Sequence, residues 1–219
     1  LVVGLGGQID WMDDTDKIST INTEGLGWMV GPYMVKQLND NLFLDARAAW
    51  GQSSNSVNPL GTYEDDFETD RWLVRSQLTG QFDYGDMQIS PHVRAVYFEE
   101  TQHSYTDSLA NIIPEQAISL GHVSFGPTFS TRRVMETGLV VEPSLGLHGI
   151  WIFDPADTVD IDTGIVSGSE AGIRARVEAG LSVLYTGSQS FTLNGFYDGI
   201  GSSDVQSYGA MGHFRVPLN

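Results

Sequence analysis

Leu42-Phe43-Leu44-Asp45-Ala46-Arg47-Ala48-Ala49-Trp50 decides the fold. Leu42, Leu44, Ala46, Ala48 and Trp50 fall on one face of an extended chain, and Phe43, Asp45, Arg47 and Ala49 fall on the other, because side chains alternate along a strand. The same two-faced pattern returns at Ile173, Ala175, Val177, Ala179, Leu181, Val183 and Tyr185, set against Arg174, Arg176, Glu178, Gly180 and Ser182. Charge on one side excludes a strand buried on both faces.

Working outward, ten segments of this kind cover the chain. They predict strands near Leu1 to Met12, Gly25 to Leu38, Asn41 to Gln52, Arg71 to Tyr84 and Met87 to Gln102, then Ile118 to Arg133, Leu139 to Asp154, Gly172 to Thr186, Ser190 to Gly201 and Val205 to Leu218. Each exceeds the roughly 9 to 11 residues that a tilted strand needs to cross a bilayer. The connections alternate in length. Asn39-Asp40, Gly85-Asp86, Met135 to Gly138 and Gly187 to Gln189 are tight and rich in turn residues. Asp13 to Glu24, Ser53 to Asp70, His103 to Ala117 and Pro155 to Ala171 are long and polar. Short turns on one side and long loops on the other are the asymmetry of outer-membrane barrels, with the short turns periplasmic.

Composition agrees. The 219 residues contain nothing resembling a linker, so one domain spanning 1–219 is expected. There is no run of 18 apolar residues and mean hydropathy is −0.13, which excludes a membrane helix but not a barrel, whose lipid face uses only every second residue. Cysteine is absent, so disulfides and thiolate chemistry are excluded. No signal peptide opens the chain and a strand is already under way at Leu1 to Val3, so the expectation is a mature fragment with its targeting segment upstream.

Tryptophan position tests this register independently of the loops. Trp11, Trp28, Trp50, Trp72 and Trp151 all take the outward parity at the external ends of their strands, where an indole, half apolar with one N–H, suits the headgroup boundary. They are the candidate membrane girdle, extended by Tyr97, Tyr197 and Tyr208; Tyr84, Tyr185, Phe191 and Phe214 form a candidate lower ring. The opposite parity holds Arg47, Arg75, Arg94, Arg132, Arg174, Arg176 and Arg215, seven of nine arginines, with Asp45, Glu142, Glu178 and Asp198 and with His92, His122, His148 and His213. Guanidinium groups do not face hydrocarbon cheaply, so this face is a wet, ion-paired interior and its arginines and acids are candidate pore-lining residues. Acid concentrates in the loops, at Asp13, Asp14, Asp16, Glu64, Asp65, Asp66, Glu68, Asp70, Asp157, Asp160 and Asp162. The net charge of −17 is therefore largely an external rim, which argues against nucleic-acid binding and makes lipopolysaccharide a candidate partner beside outer-membrane lipid. Pro32, Pro91, Pro127 and Pro143 fall inside strands, all outward and in the periplasmic half, and call for bulges or non-bonded positions.

Catalytic readings find little. His103, Ser104 and Asp107 lie within one loop, whereas a triad needs nucleophile and base on separate rigid elements. Glu99 and Glu100 face opposite ways. No phosphate-cradling glycine motif, calcium-loop spacing or zinc-ligand spacing occurs, so no catalytic, cofactor or metal residue is assigned.

Four segments carry a family resemblance: GWMVGPY from Gly27, DNLFLDARAAWG from Asp40, FETDRWLVRSQLTG from Phe67 and GFYDGIGSSDVQSYGA from Gly195. Over essentially its whole length the chain resembles the C-terminal β-domain of bacterial autotransporters, the translocator of type V secretion. The resemblance implies a 12-stranded barrel, against ten visible here, and an outer-membrane location. It also implies a pore helix leading to the protein's own N-terminal passenger. A final strand, here through Phe214, Val216 and Leu218, would be the signal read by the barrel-assembly machinery. The ending Val216-Pro217-Leu218-Asn219 departs from the aromatic terminus usual in the family. Two alternatives stand beside this reading: a channel or adhesive surface barrel without a passenger, and a soluble β-sandwich.

Overall fold

The computed structural model describes residues 1–15, 22–58, 61, 63–154, 157–159, 166–168, 172–185, 189–202 and 206–216. Ten long strands run β1 (Val2–Thr15), β2 (Asn22–Asn39), β3 (Leu42–Asn58), β4 (Asp65–Gly80) and β5 (Met87–Gln102), then β6 (Gln116–Thr131), β7 (Val140–Asp154), β8 (Gly172–Leu184), β9 (Ser190–Ile200) and β10 (Ser207–Arg215). Each pairs antiparallel with the next in the chain. Two short segments, Phe82–Tyr84 and Arg133–Val134, continue β4 along β5 and β6 along β7, so that one up-and-down sheet of twelve strands results. The soluble sandwich needed two packed sheets; all the long strands belong to one. Among the described residues no ladder joins β1 to β10, and the sheet is open at those two edges.

Several boundaries differ from the sequence reading, mostly beyond the tryptophan row. β1 and β2 stay paired out to Thr15 and Asn22, and β3 and β4 to Val57 and Asp65, where long loops were expected. Ser53, Asn55 and Ser56 alternate nothing apolar, so a hydrophobic period cannot see a strand that is wet on both sides. The loop after β5 contains a small hairpin, Tyr105–Thr106 against Ile112–Ile113, and the loop after β7 another, Asp157–Val159 against Val166–Gly168. The first tight turn is centred on Asp40-Asn41, one residue later than expected, with Asn39 paired to Leu42.

Register fixes the two faces. Arg47 lies opposite Arg75, Gln77 opposite Arg94, Arg94 opposite Ser124, Ile150 opposite Arg174 and Arg176 opposite Asp198; these share one face. On the other, Val30 faces Trp50, Trp50 faces Trp72 and Trp151 faces Val123. Burial is inverted relative to a water-soluble protein. Among the described residues the buried apolar side chains are Met29, Ala49 and Ile150, while Ser53, Asn55, Asp65, Thr69 and Asp198 are buried too, and Leu5, Ile9, Trp11, Leu26, Val74, Val93 and Tyr208 stand exposed. The total surface of 14504 Å² far exceeds the roughly 9,900 Å² of a compact monomer of this mass.

The prolines sit where the ladder lets go. β2–β3 pairing passes from Val30–Trp50 to Tyr33–Arg47, skipping Gly31 and Pro32. β6–β7 pairing passes from Phe125–Gly149 to Thr128–Gly146, skipping Gly126 and Pro127. β4–β5 pairing stops at Thr79–His92 and resumes at Phe82–Ile89, skipping Pro91, and β6–β7 pairing stops at Ser130–Ser144 and resumes at Arg133–Val141, skipping Pro143. Each proline therefore turns its missing donor toward a break, and its other side toward a partner that asks for none: Leu5, Pro127, Pro91 and Leu181. At both Gly-Pro pairs the neighbouring backbone comes so close that a Cβ would strike a carbonyl oxygen, that of Ala48 at Gly31 and of Leu147 at Gly126.

Beyond the strand ends, the hairpin after β5 is locked by one carboxylate. Asp107 Oδ1 accepts from the backbone N–H groups of Leu109 (2.9 Å) and Asn111 (2.7 Å), and Oδ2 from Asn111 Nδ2 (2.8 Å). The Asn111 side-chain bond, with these amides, holds the exposed Asp107 carboxyl below its ordinary value.

Two outcomes follow. Gly126→Val is expected to destabilise the folded form by about 2–4 kcal/mol through backbone collision. Gly195→Ala, whose added Cβ would meet nothing nearer than 3.7 Å, is expected to be tolerated; urea titration of the heat-modifiable gel band distinguishes them. For Asp107 the folded pKa is depressed, so its contribution is complete above the ordinary carboxylate range and is lost as pH falls through the lowered value. Amide-exchange protection at Leu109 and Asn111 is expected to hold down to about pH 4 and fail below it, and to be absent at all pH values in Asp107→Ala.

Candidate functional site

The charged face divides into two regions. Across β1 to β5, at the end bearing the long loops, polar side chains form a continuous belt centred on Arg71. Its Nη1 donates to Asp10 Oδ2 at 2.7 Å and its Nε to Glu100 Oε1 at 3.0 Å. Glu100 Oε1 also accepts from Thr69 Oγ1 at 2.7 Å, Thr69 shares a 2.7 Å hydrogen bond with Ser53, and Asn55 Nδ2 donates to Ser53 Oγ at 2.7 Å. The reach from β4 to β1 is possible because the guanidinium passes over Gly27, where a Cβ would collide with it. Each charge in this belt meets an opposite charge, and the link ties strands distant in sequence.

Across β4 to β9 the balance is different. Arg75 reaches Asp45 at 3.8 Å and Gln77 Oε1 at 3.3 Å. Arg94 Nε donates to the same Gln77 oxygen at 2.7 Å, and among the described residues Arg94 makes no ion pair. Arg174 Nε donates to Asp198 Oδ1 at 2.8 Å. Arg176 stacks its guanidinium over Phe196 at 4.0 Å; its Nε lies 2.8 Å from Glu178 Oε1, yet that N–H is not aimed at the oxygen and has no hydrogen-bond partner. His148 packs edge-on against His92 at 4.7 Å, shares a 3.3 Å contact with Thr128 Oγ1 and lies 3.8 Å from Glu178. Gly146 leaves the room that the His148 ring uses, since a Cβ there would strike it.

A bulge explains the odd pairing of Asp198. The β8–β9 register shifts between Ala175–Ile200 and Arg176–Asp198, leaving Gly199 as the extra residue with φ of 109°, a conformation that suits glycine. Asp198 thereby turns from its ladder partner Arg176 to Arg174. Three residues of this stretch thus have separate tasks: Phe196, which shares the parity of Asp198, carries Arg176, Asp198 holds Arg174, and Gly199 supplies the bend.

The structure places the sequence-predicted residues as follows. Arg47, Arg75, Arg94, Arg132, Arg174, Arg176 and Arg215 share the charged face with Asp45, Glu142 and Glu178; Arg132 meets Glu142 at 3.3 Å, far along the face from the cavity described below. Arg71 belongs with them and was missed, although its parity with Arg75 was legible; Asp10 and Glu100 were missed with it. Trp28, Trp50 and Trp72 form a contiguous row on the apolar face, with centroids 5.3 and 6.4 Å apart, and Trp151 packs on Phe153 at 5.8 Å. Trp11 lies on that face too, opposite Leu26. Phe214, opposite Phe191, and Val216 are exposed; Leu218 lies outside the described residues. His103, Ser104 and Asp107 do not converge: His103 Nε2 meets Asp70 Oδ2 at 2.9 Å, while Asp107 serves its own hairpin. Among the described residues no group of three histidine, aspartate or glutamate side chains is placed to hold a metal ion.

A cavity of about 290 Å³ opens on the charged face between β5 and β9. Its chemistry is that of fixed cations beside an apolar wall, suited to holding a negative group.

Comparison with known proteins bears on all of this. A family model for the autotransporter β-domain matches residues 14–198. The β-domain of the Bordetella autotransporter BrkA has a similar fold, with a TM-score of 0.65 at 18% identity, over 99% of this chain and 83% of that one. Among curated proteins none matches significantly. Translocators of this kind do their work by carrying a chain across a membrane, which points away from catalysis. The chain belongs to the autotransporter β-domain family, and is an outer-membrane translocator barrel of type V secretion, linked to an N-terminal passenger.

Proposed function

We propose that residues 1–219 act as one domain whose charged face is the lumen, lined by the arginines and acids named above, while the tryptophan row sits at the outer headgroup boundary. One observation carries this reading: eight of the nine arginines, Arg71 included, lie on one face and all five tryptophans on the other. Guanidinium groups need water or counter-charge, and indoles the interface. A barrel leaves no free edge. In the membrane the outer edges of β1 and β10 are therefore paired, directly or through the two further strands that the family resemblance implies. No catalytic residue or cofactor is assigned to the barrel; passenger folding and assembly factors supply the driving force. Its further partners are lipopolysaccharide, against the acidic loops, and the barrel-assembly machinery, reading β10 through Phe214, Val216 and Leu218.

Reconstitution tests the facing directly. In vesicles, brominated lipid is expected to quench most of the tryptophan emission and aqueous acrylamide little of it; strong acrylamide quenching would put tryptophans in the lumen and overturn the assignment. In cells making the full-length protein, externally added protease is expected to release the passenger without lysis. A passenger that stays periplasmic beneath an assembled, heat-modifiable barrel would instead favour the channel or adhesive reading.

A further inference from the structure

We propose that the cavity between β5 and β9 is a carboxylate-binding site, a subsite of the lumen that receives an acidic side chain of a polypeptide inside the barrel; this rests on the lumenal reading above. Its fixed cations are Arg94, Arg174 and Arg176, with the imidazoles of His92, His122 and His148 set among them. Against these stand only Glu178 and Asp198, and both are engaged: Asp198 is bonded to Arg174 at 2.8 Å, and Glu178 is shared between Arg176 and His148. Arg94 is left with a neutral amide oxygen as its partner. Arg176 keeps an N–H that is buried, donates to nothing and lies in the same wall. A guanidinium hydrogen-bonded to a neutral amide oxygen rather than to a carboxylate leaves a place for a stronger, charge-assisted acceptor.

Neighbouring residues define the shape of the acceptor. In register, Ser124 on β6 and Ile150 on β7 stand between Arg94 and Arg174, and the small hydroxymethyl group of Ser124 leaves a hollow beside Arg94. Leu120, Ile150 and Ile152 complete the wall. A bare inorganic anion would leave that apolar side uncovered, whereas a glutamate or aspartate flanked by an aliphatic residue covers both. The belt across β1 to β5 offers no such vacancy, since Arg71 already holds two carboxylates. The lumen is therefore asymmetric: one side is neutralised by its own residues, and the other is completed by a ligand.

The test uses the full chain folded in detergent micelles, with folding scored by heat-modifiable migration. A short peptide alternating leucine and glutamate, carrying an uncharged fluorophore, is compared by anisotropy with its leucine–glutamine counterpart. Wild type is expected to bind the glutamate peptide at least about tenfold more tightly, the worth of one charge-assisted hydrogen bond. Arg94→Gln is expected to erase that difference, while Arg133→Gln, on the other face and paired with Asp86, keeps it. If Arg94→Gln does not assemble, Ser124→Glu supplies a carboxylate from within and is expected to erase the difference equally. Sodium acetate at constant ionic strength separates the sources: displacement at millimolar levels means the carboxylate alone suffices, and its failure means the flanking aliphatic contact is required. Equal binding of both peptides by an assembled wild type, or an undiminished difference in assembled Arg94→Gln or Ser124→Glu, overturns the site and leaves the translocator reading standing. A wild type that never shows the heat-modifiable form overturns the barrel, and the site with it.

Discussion

In hydrocarbon a backbone N–H has no water to turn to, and each one left unpaired costs several kcal/mol. That constraint organises everything else in this molecule. It demands strands that pair continuously with their neighbours, and the ten long strands do so in chain order. It explains why four prolines survive in the sheet: each is lodged where the ladder is already interrupted, so that no neighbour is deprived. Once the backbone is committed to a single two-faced sheet, the side chains have only two environments to choose between, and the sequence sorts them accordingly.

The sorting has an electrostatic consequence. A soluble protein spreads its arginines over its surface; here they crowd onto one face and must be held apart or neutralised at short range. Two solutions coexist. Around Arg71, carboxylates and hydroxyls are interleaved so that each cation is answered. Around Arg94, three guanidinium groups share two carboxylates, and the face of Phe196 supports that of Arg176. The net charge of −17 conceals this, because the acid lies in the loops and strand ends rather than beside the unanswered cations.

Much of this was legible in the sequence, for identifiable reasons. Alternation alone assigned Leu42–Trp50 and Ile173–Tyr185 to two-faced strands, and parity alone placed the arginines opposite the tryptophans. The tight turn at Gly85-Asp86 was readable because a two-residue hairpin needs those residue types. Alternation failed where both faces are wet: Ser53, Asn55 and Ser56 read as loop and are strand. It also failed at single exceptions to its own rule. The bulge at Gly199 turns Asp198 toward Arg174, and no period of two foretells a residue that breaks the period. The belt around Arg71 was missed for a third reason, since Asp10 and Arg71 are 61 residues apart and only register brings them together.

The outward continuation of β2, β3 and β4 has a mechanical meaning. From Trp50 to Asn58 the ladder runs on for about 26 Å at some 3.3 Å per residue, well beyond the aromatic row. What continues past the aromatic row on this side is a stiff parapet of paired strands. Bending it would break hydrogen bonds in several strands at once, so it resists lateral load as a plate does.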